Sequence, residues 1–157
     1  MLHSFTPTMG SSMELWRDKV LLTKEGTTTP AGAALRNKRI ICIYFSAQWC
    51  VPCRTFTPML ADAYREVKQH GLPIEIVFVS QDRTEAEMQD DYNAHHGGWL
   101  RVPYGDNLQG TLKARYKVAG IPTLVVLKGD GALICANGRA DVQTKGCQAF
   151  KDWLTSI

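Results

Sequence analysis

One segment constrains the fold of this chain more than any other: an apolar run, then two cysteines, then an apolar stripe with helical spacing. Residues 39–45 are almost continuously apolar, as expected of a central strand covered by helices on both faces. Cys50 and Cys53 follow shortly afterwards. Beyond them, apolar residues recur at spacings of four, three and four: Phe56, Leu60, Ala63 and Val67. This stripe predicts an amphipathic helix that ends near residues 70–71.

Strands and helices alternate through much of the remaining chain, which favours parallel strands joined by right-handed crossovers. The other predicted strands are 20–23, 27–29, 74–80, 123–128 and 132–135. The other predicted helices are 30–35, 84–95, 107–116 and 142–157. The first two strands form a hairpin around Gly26. We expect Asn107 to cap its helix and the last helix to place Phe150, Trp153 and Leu154 on the core.

The length and composition fit one domain with a packed core. The chain has 157 residues, of which 45% are hydrophobic and 21% charged, as in ordinary globular proteins. Residues 14–157 are predicted to form this domain, and residues 1–13 to be a disordered N-terminal segment. The formal net charge is only +3 and the basic residues are scattered, which argues against both nucleic acid and an anionic membrane surface as partners.

The sequence favours a reducing compartment. The apolar run 40–45 is far too short to span a bilayer, and residues 1–10 lack the pattern of a secretory signal, so no membrane partner is expected. Five cysteines at irregular spacing are unlike the paired framework of a small secreted protein. We therefore predict a cytoplasmic protein that also reaches the nucleus by diffusion.

The two close cysteines are suited to thiol-disulfide chemistry. At the start of a helix they can close a small disulfide ring, and the unpaired N-H groups there favour thiolate over thiol. Cys50 is predicted to be the exposed, attacking thiol and Cys53 the resolving thiol one turn further in. Cys50 would form a mixed disulfide with a substrate, which Cys53 would then release. This chemistry requires neither a metal nor a cofactor.

The residues around the pair are candidates for substrate contact. Val51 and Pro52 set the conformation of the loop between the cysteines, and proline suits the first turn of a helix. Trp49 is expected to shield the motif and to form part of a docking surface. Trp99, Val102 and Tyr104 would either extend that surface or cover the core.

Other interpretations of the cysteines remain open. A zinc site would need two more ligands, and the nearest candidates, His95 and His96, are adjacent and are better explained as the end of a helix. The pair could also be purely structural. Cys42 and Cys135 are expected in the core, whereas Cys147 is expected to be partly exposed.

The motif block resembles the active-site block of tryparedoxins and nucleoredoxins. Residues 44–58 read Tyr-Phe-Ser-Ala-Gln-Trp-Cys-Val-Pro-Cys-Arg-Thr-Phe-Thr-Pro. Three further blocks are similar to successive blocks of that family: residues 75–83, 99–104 and 120–123. The resemblance runs in unbroken order from about residue 20 to residue 154. Two segments look closest to the nucleoredoxin-like branch: residues 96–100 and 146–153.

The resemblance implies a thioredoxin fold: an α/β domain with a central mixed sheet, helices on both faces and an N-terminal hairpin extension. It further implies that Pro122 is cis and that the Ile121 backbone lies beside Cys50. The implied substrate-binding residues are Trp49, Val51, Pro52, Ile121 and Pro122. The implied activity is reduction of disulfide-containing proteins, with a reductase or a dithiol as electron donor. A redox-sensing binding module that regulates its partners by association is the alternative.

Two departures from plain thioredoxins mark where this chain is expected to differ. Plain thioredoxins carry a buried acid at the position of Tyr44, whereas tryparedoxin-like proteins carry a tyrosine there as this chain does. The group that relays protons to and from the cysteines is therefore left open. Val51 replaces the usual proline or glycine, which is expected to alter the reduction potential.

Overall fold

The structure is a computed structural model that describes residues 15–157. The expectation of disorder for residues 1–13 lies outside the described residues. The strands are β1 (Val20–Leu22), β2 (Thr28–Pro30), β3 (Ile40–Ser46), β4 (Ile74–Ser80), β5 (Leu100–Arg101), β6 (Thr123–Lys128) and β7 (Leu133–Cys135). The helices are α1 (Ala31–Ala34), α2 (Val51–Gln69), α3 (Glu85–His95), α4 (Asn107–Arg115), α5 (Arg139–Lys145) and α6 (Cys147–Thr155).

The strands form a single mixed sheet in the order β2-β1-β5-β4-β3-β6-β7. β4 pairs in parallel with β3 and with β5, whereas the remaining pairs are antiparallel. Every residue of β3 and β4 is buried, because both faces of these central strands are covered. The mixed sheet and the N-terminal hairpin confirm the predicted fold class.

Helices cover both faces of the sheet. Tyr44 of β3 packs on one face against the α2 stripe, together with Phe150 and Trp153 of α6. Ile43, next to Tyr44 in β3, points to the opposite face and packs with Leu112 of α4. No helix within residues 15–157 is both long enough and apolar enough to cross a membrane.

The C-terminal region differs from the single predicted helix. Gly146 adopts a positive φ of 57° between α5 and α6, and this conformation breaks the helix in two. The apolar pattern is preserved across the break, since Phe150 and Trp153 are buried and Leu154 is partly buried against the same core. Cys147 begins α6 and is only 6% exposed, so the expectation that it is partly exposed was wrong.

The cap of α4 also differs from the prediction. Asp106, rather than Asn107, is the N-cap residue, and its Oδ1 accepts a hydrogen bond of 2.8 Å from the backbone N-H of Leu108. Both residue types are good caps, and their adjacency made the boundary ambiguous by one position.

Trp99 lies in an aromatic cluster and not on a docking surface. Its side chain is fully buried, and its ring meets those of Tyr64 and Tyr44 edge-on, with centroids 5.4 and 6.2 Å apart. Its indole N-H donates to Nδ1 of His96 at 3.2 Å, and its carbonyl oxygen accepts from the Tyr92 hydroxyl. Val102 is likewise buried, so the surface interpretation of these two residues was wrong.

Candidate active site

The cysteine motif lies where β3 ends and α2 begins. Cys50 is the N-cap residue of α2, with an extended backbone, and Pro52 falls in the first turn, where a missing N-H costs nothing. The backbone N-H of Cys50 donates to the Ala47 carbonyl at 3.3 Å and so closes the connecting turn. The local sequence thus places a cysteine at the positive end of a 19-residue helix.

Cys50 and Cys53 are joined by a disulfide bond, with Cα atoms 5.2 Å apart. The Cys50 sulfur also accepts a hydrogen bond of 3.3 Å from the backbone N-H of Cys53. Exposure is 6% for Cys50 and 1% for Cys53, so Cys50 is the more accessible of the two but less open than the sequence suggested. An N-H donor and a helix N-terminus directed at one sulfur both favour its thiolate form.

The Ile121-Pro122 peptide bond is cis, as the family resemblance implied. The Ile121 carbonyl oxygen lies 3.8 Å from the Cys50 sulfur, although the two residues are 71 positions apart in the chain. Two open depressions of about 460 Å³ each flank Ile121. One is bordered by Pro122 and Arg139, the other by Trp49. The geometry leaves access along this segment for an extended chain.

Exposed apolar groups surround the pair. Trp49 is 44% exposed and Val51 is 67% exposed, which are unusual values for large apolar side chains beside a buried sulfur. The Trp49 indole N-H donates to the Gln81 carbonyl at 3.3 Å, and the Arg83 guanidinium lies 5.3 Å from the ring centre. These contacts fix the ring next to the motif while leaving much of it open.

Asp82, which the sequence patterns did not predict, anchors the loop before Cys50. One carboxylate oxygen accepts from the backbone N-H of Gln48 at 2.7 Å, and the other accepts from the Ser80 hydroxyl at 2.7 Å. Burial raises the pKa of Asp82 above its usual value, against the opposing hydrogen bonds from Ser80 and Gln48. Its position two residues after β4 was an available signal, because β4 runs parallel to β3 and both strands end at the same edge of the sheet.

Arg54 holds the same loop from the other side. Its Nε donates to the Gln48 carbonyl at 3.0 Å, so both backbone groups of Gln48 are bonded to side chains. The guanidinium also adds positive charge near the cysteines.

Tyr44 links β3 to α2 at the position where plain thioredoxins carry an acid. Its hydroxyl lies 2.6 Å from the Thr57 hydroxyl, and the residue is fully buried. Burial raises the pKa of Tyr44 above its usual value, so the hydroxyl stays protonated near neutral pH. It is therefore no substitute for a carboxylate as a proton acceptor.

The histidines considered as zinc ligands bind a carboxylate instead. His95 and His96 lie at the C-terminus of α3, as expected, and each contacts one oxygen of Asp91 at 3.2 Å. His96 is buried, whereas His95 is largely exposed. Across residues 15–157, no group of three or more His, Cys, Asp and Glu side chains is arranged to hold a metal ion.

Comparisons with known proteins agree with this geometry. The sequence profile of a family described as Thioredoxin-like matches residues 37–133. Nucleoredoxin from Bos taurus is 41% identical over 110 residues, which cover 69% of this chain and 25% of that protein. The chain thus matches about a quarter of the length of that nucleoredoxin.

Solved structures match over nearly the whole chain. Thioredoxin from Wuchereria bancrofti is 43% identical with a TM-score of 0.78, covering 90% of this chain and 98% of its own. Tryparedoxin from Trypanosoma brucei is 29% identical with a TM-score of 0.77, covering 90% and 97%. The disulfide at the start of α2, the cis Pro122 beside it and these matches lead to one conclusion: the chain belongs to the thioredoxin-like family.

Proposed function

We propose that this chain is a thiol-disulfide oxidoreductase that reduces disulfides in other proteins by cycling Cys50 and Cys53 between dithiol and disulfide. The observation that carries the proposal is the Cys50-Cys53 disulfide at the N-terminus of α2, with an open backbone segment at Ile121 beside it. A buried structural disulfide would have no need of exposed apolar neighbours such as Trp49 and Val51. Those neighbours favour a site that contacts another molecule.

Two exchange steps account for the chemistry. The Cys50 thiolate attacks one sulfur of the substrate disulfide, and the other substrate sulfur leaves as a thiolate that takes up a proton. Cys53 then loses its proton and attacks the Cys50 sulfur, which releases the second substrate thiolate. Two electrons pass from the dithiol to the substrate, and the Cys50-Cys53 disulfide remains. A reductase or a small dithiol then returns two electrons to it.

Substrate contact is assigned to the surface around Cys50. The Ile121 backbone would hydrogen-bond an extended substrate segment, as an added strand pairs with a sheet edge. Trp49, Val51 and Pro52 would contact its side chains on one side of the sulfur, and Pro122 on the other. No metal or cofactor enters these steps.

A reducing compartment suits this chemistry. Cys42, Cys135 and Cys147 are free thiols, which supports the proposal that the protein works in the cytoplasm and the nucleus, where reduced thiols persist. The physiological electron donor would be a component of that compartment.

Replacing Cys53 by serine is expected to slow turnover strongly after the first exchange, because no neighbouring thiol is left to attack the mixed disulfide and only added dithiothreitol can resolve it. Wild-type protein should accelerate dithiothreitol-driven precipitation of insulin, and Cys53→Ser should do so far less. Without dithiothreitol, Cys53→Ser should instead accumulate a covalent adduct with insulin on non-reducing gels. Cys135→Ser, which removes a half-buried free thiol, is the matched control and should behave as wild type.

Two outcomes would count against the proposal. One is wild-type turnover by Cys53→Ser, and the other is an adduct that forms equally well after Cys50 is removed. Trapping in a cell extract separates the reductase from the binding-module alternative. Many captured proteins indicate a reductase, whereas one dominant partner favours a module that acts by association.

A further inference from the structure

A small cavity lies beside the resolving cysteine. Its volume is about 120 Å³, well above the roughly 10–15 Å³ that one water molecule requires. It is lined by Ala47, Cys53, Arg54, Thr57, Asp91 and His95. Water therefore has room to contact both the Cys53 thiol and the polar groups of α2 and α3. Asp91 and His95, the α3 residues of this lining, take no part in the two exchange steps.

The resolution step needs a proton acceptor close to this cavity. Cys53 is only 1% exposed, so its thiol has almost no direct contact with bulk water. β3 offers no acceptor, because the Tyr44 hydroxyl is paired with Thr57 and stays protonated. Apart from Cys53 itself, the ionisable side chains of the lining are Arg54, Asp91 and His95. Arg54 is a permanent cation, which leaves Asp91 and His95 as the candidate acceptors.

Asp91 and His95 form a carboxylate-imidazole pair. His95 Nδ1 lies 3.2 Å from Oδ1 of Asp91, and the His95 side chain is 62% exposed. Burial would raise the pKa of Asp91, but hydrogen bonds and charge from His96 and His95 outweigh it and hold this pKa below its usual value. The carboxylate thus orients the ring, and an Nδ1-H directed at Asp91 leaves Nε2 free to accept a proton.

We infer that His95, oriented by Asp91, takes the Cys53 proton through water in this cavity during resolution. This inference rests on the proposed function. In that step the Cys53 S-H bond breaks and a water carries the proton to His95. The Cys53 sulfur then bonds to Cys50 as the substrate thiolate leaves. His95 passes the proton to solvent through its exposed face. When a donor reduces the disulfide, the proton returns to Cys53 by the same route.

Other charged groups near the cavity do not take this role. Arg54 favours the Cys53 thiolate at every pH but accepts no proton. Asp82 is engaged by Gln48 and Ser80 in the loop before Cys50. Burial lowers the pKa of His96 despite its bond to Asp91, and the ring is fully enclosed. Lys24 reaches this region from the N-terminal hairpin, and its ammonium donates to the His96 carbonyl at 3.0 Å.

Stopped-flow reaction of the reduced protein with 5,5′-dithiobis(2-nitrobenzoate) separates the two steps. Attack by Cys50 releases one coloured thiolate, and attack by Cys53 on the resulting mixed disulfide releases a second. The background variant Cys135→Ser removes the half-buried free thiol, and Cys42 and Cys147 are buried. His95→Ala is expected to slow the second phase about tenfold at pH 7 and to leave the first within about twofold.

Two further readouts distinguish a proton relay from a structural effect. Added imidazole should restore the second phase of His95→Ala in a concentration-dependent manner. The second-phase rate of this variant should keep rising with pH, because hydroxide must now remove the proton, whereas the wild-type rate levels off earlier. His70→Ala removes an exposed histidine at the end of α2 and is the matched control, expected to match wild type in both phases.

The outcomes distinguish failure of the proposed function from failure of the relay alone. If wild type releases no second thiolate, the proposed function fails, and this inference with it. If wild type shows both phases but His95→Ala keeps its second phase within twofold at every pH and ignores imidazole, the relay through His95 is overturned and the reductase stands. An equal effect of His70→Ala would also overturn the relay.

Discussion

Replacing Cys50 by serine is expected to abolish disulfide reduction without unfolding the protein. A hydroxyl forms no disulfide with a substrate, so the first exchange step is lost altogether. We expect the rate of insulin reduction to fall to background, a loss on the order of a thousandfold or more. The fold should tolerate the change, because serine is nearly the size of cysteine and can still accept the hydrogen bond from the Cys53 N-H.

The matched control is Cys135→Ser, which changes the same atoms at a half-buried site in β7. It should retain wild-type activity. Residual activity of Cys50→Ser above the background rate would show that another thiol attacks the substrate. Circular dichroism of both variants checks that each is folded.

Replacing Trp99 by alanine is expected to give the largest loss of stability of any single substitution considered. The ring is fully buried among Tyr44, Tyr64 and His96, and its removal leaves a cavity and an unpaired His96 nitrogen. Truncation of a buried tryptophan costs about 3–5 kcal/mol, a large share of the roughly 5–15 kcal/mol that holds a typical domain together. Urea unfolding followed by circular dichroism measures this loss.

Trp49→Ala makes the same chemical change at the surface and serves as the matched control. Because Trp49 is 44% exposed, we expect its free energy of unfolding to fall by less than about 1 kcal/mol. Its KM for insulin should rise several-fold, since the exposed ring is assigned to substrate contact. A stability loss at Trp99 no larger than that at Trp49 would contradict the burial of Trp99.

Local patterns predicted the centre of the fold well. The apolar run of β3 and the stripe of α2 are long and regular, and both elements fall within about one residue of their predicted ends. The motif lies between them, so its position at a helix N-terminus followed directly. The hairpin and β6 were equally clear from turn glycines and apolar runs.

Features that depend on tertiary contacts could not be predicted from local sequence patterns. β5 has only two residues, too few to leave a periodic pattern, and it exists because Leu100 and Arg101 pair with β4. Trp99 is aromatic and adjoins glycines, which fits a surface as well as a core until the neighbouring rings are known. The break at Gly146 was masked by an apolar stripe that continues across it.

The residues of the candidate site fall into the same two groups, those with a local sequence signal and those that depend on tertiary contacts. Cys50, Cys53 and their chain neighbours were predicted from spacing and context. The placement of Ile121 beside Cys50 came only from the family resemblance, because a separation of 71 residues leaves no local signal. Asp82 and the proposed Asp91-His95 relay were not predicted, because these polar residues come close to the motif only when β4 and α3 are in place.

The reduction potential of the Cys50-Cys53 pair tests its redox role most directly. The protein would be equilibrated in dithiothreitol and glutathione buffers of known potential, then alkylated, with each modified cysteine identified by mass spectrometry. We predict one two-electron transition, confined to Cys50 and Cys53, near the thioredoxin value of about −270 mV, whereas a value near −180 mV or higher would indicate an isomerase or an oxidant. A pair that stays oxidised in buffers more reducing than about −300 mV would be a structural disulfide and would contradict the proposed reductase.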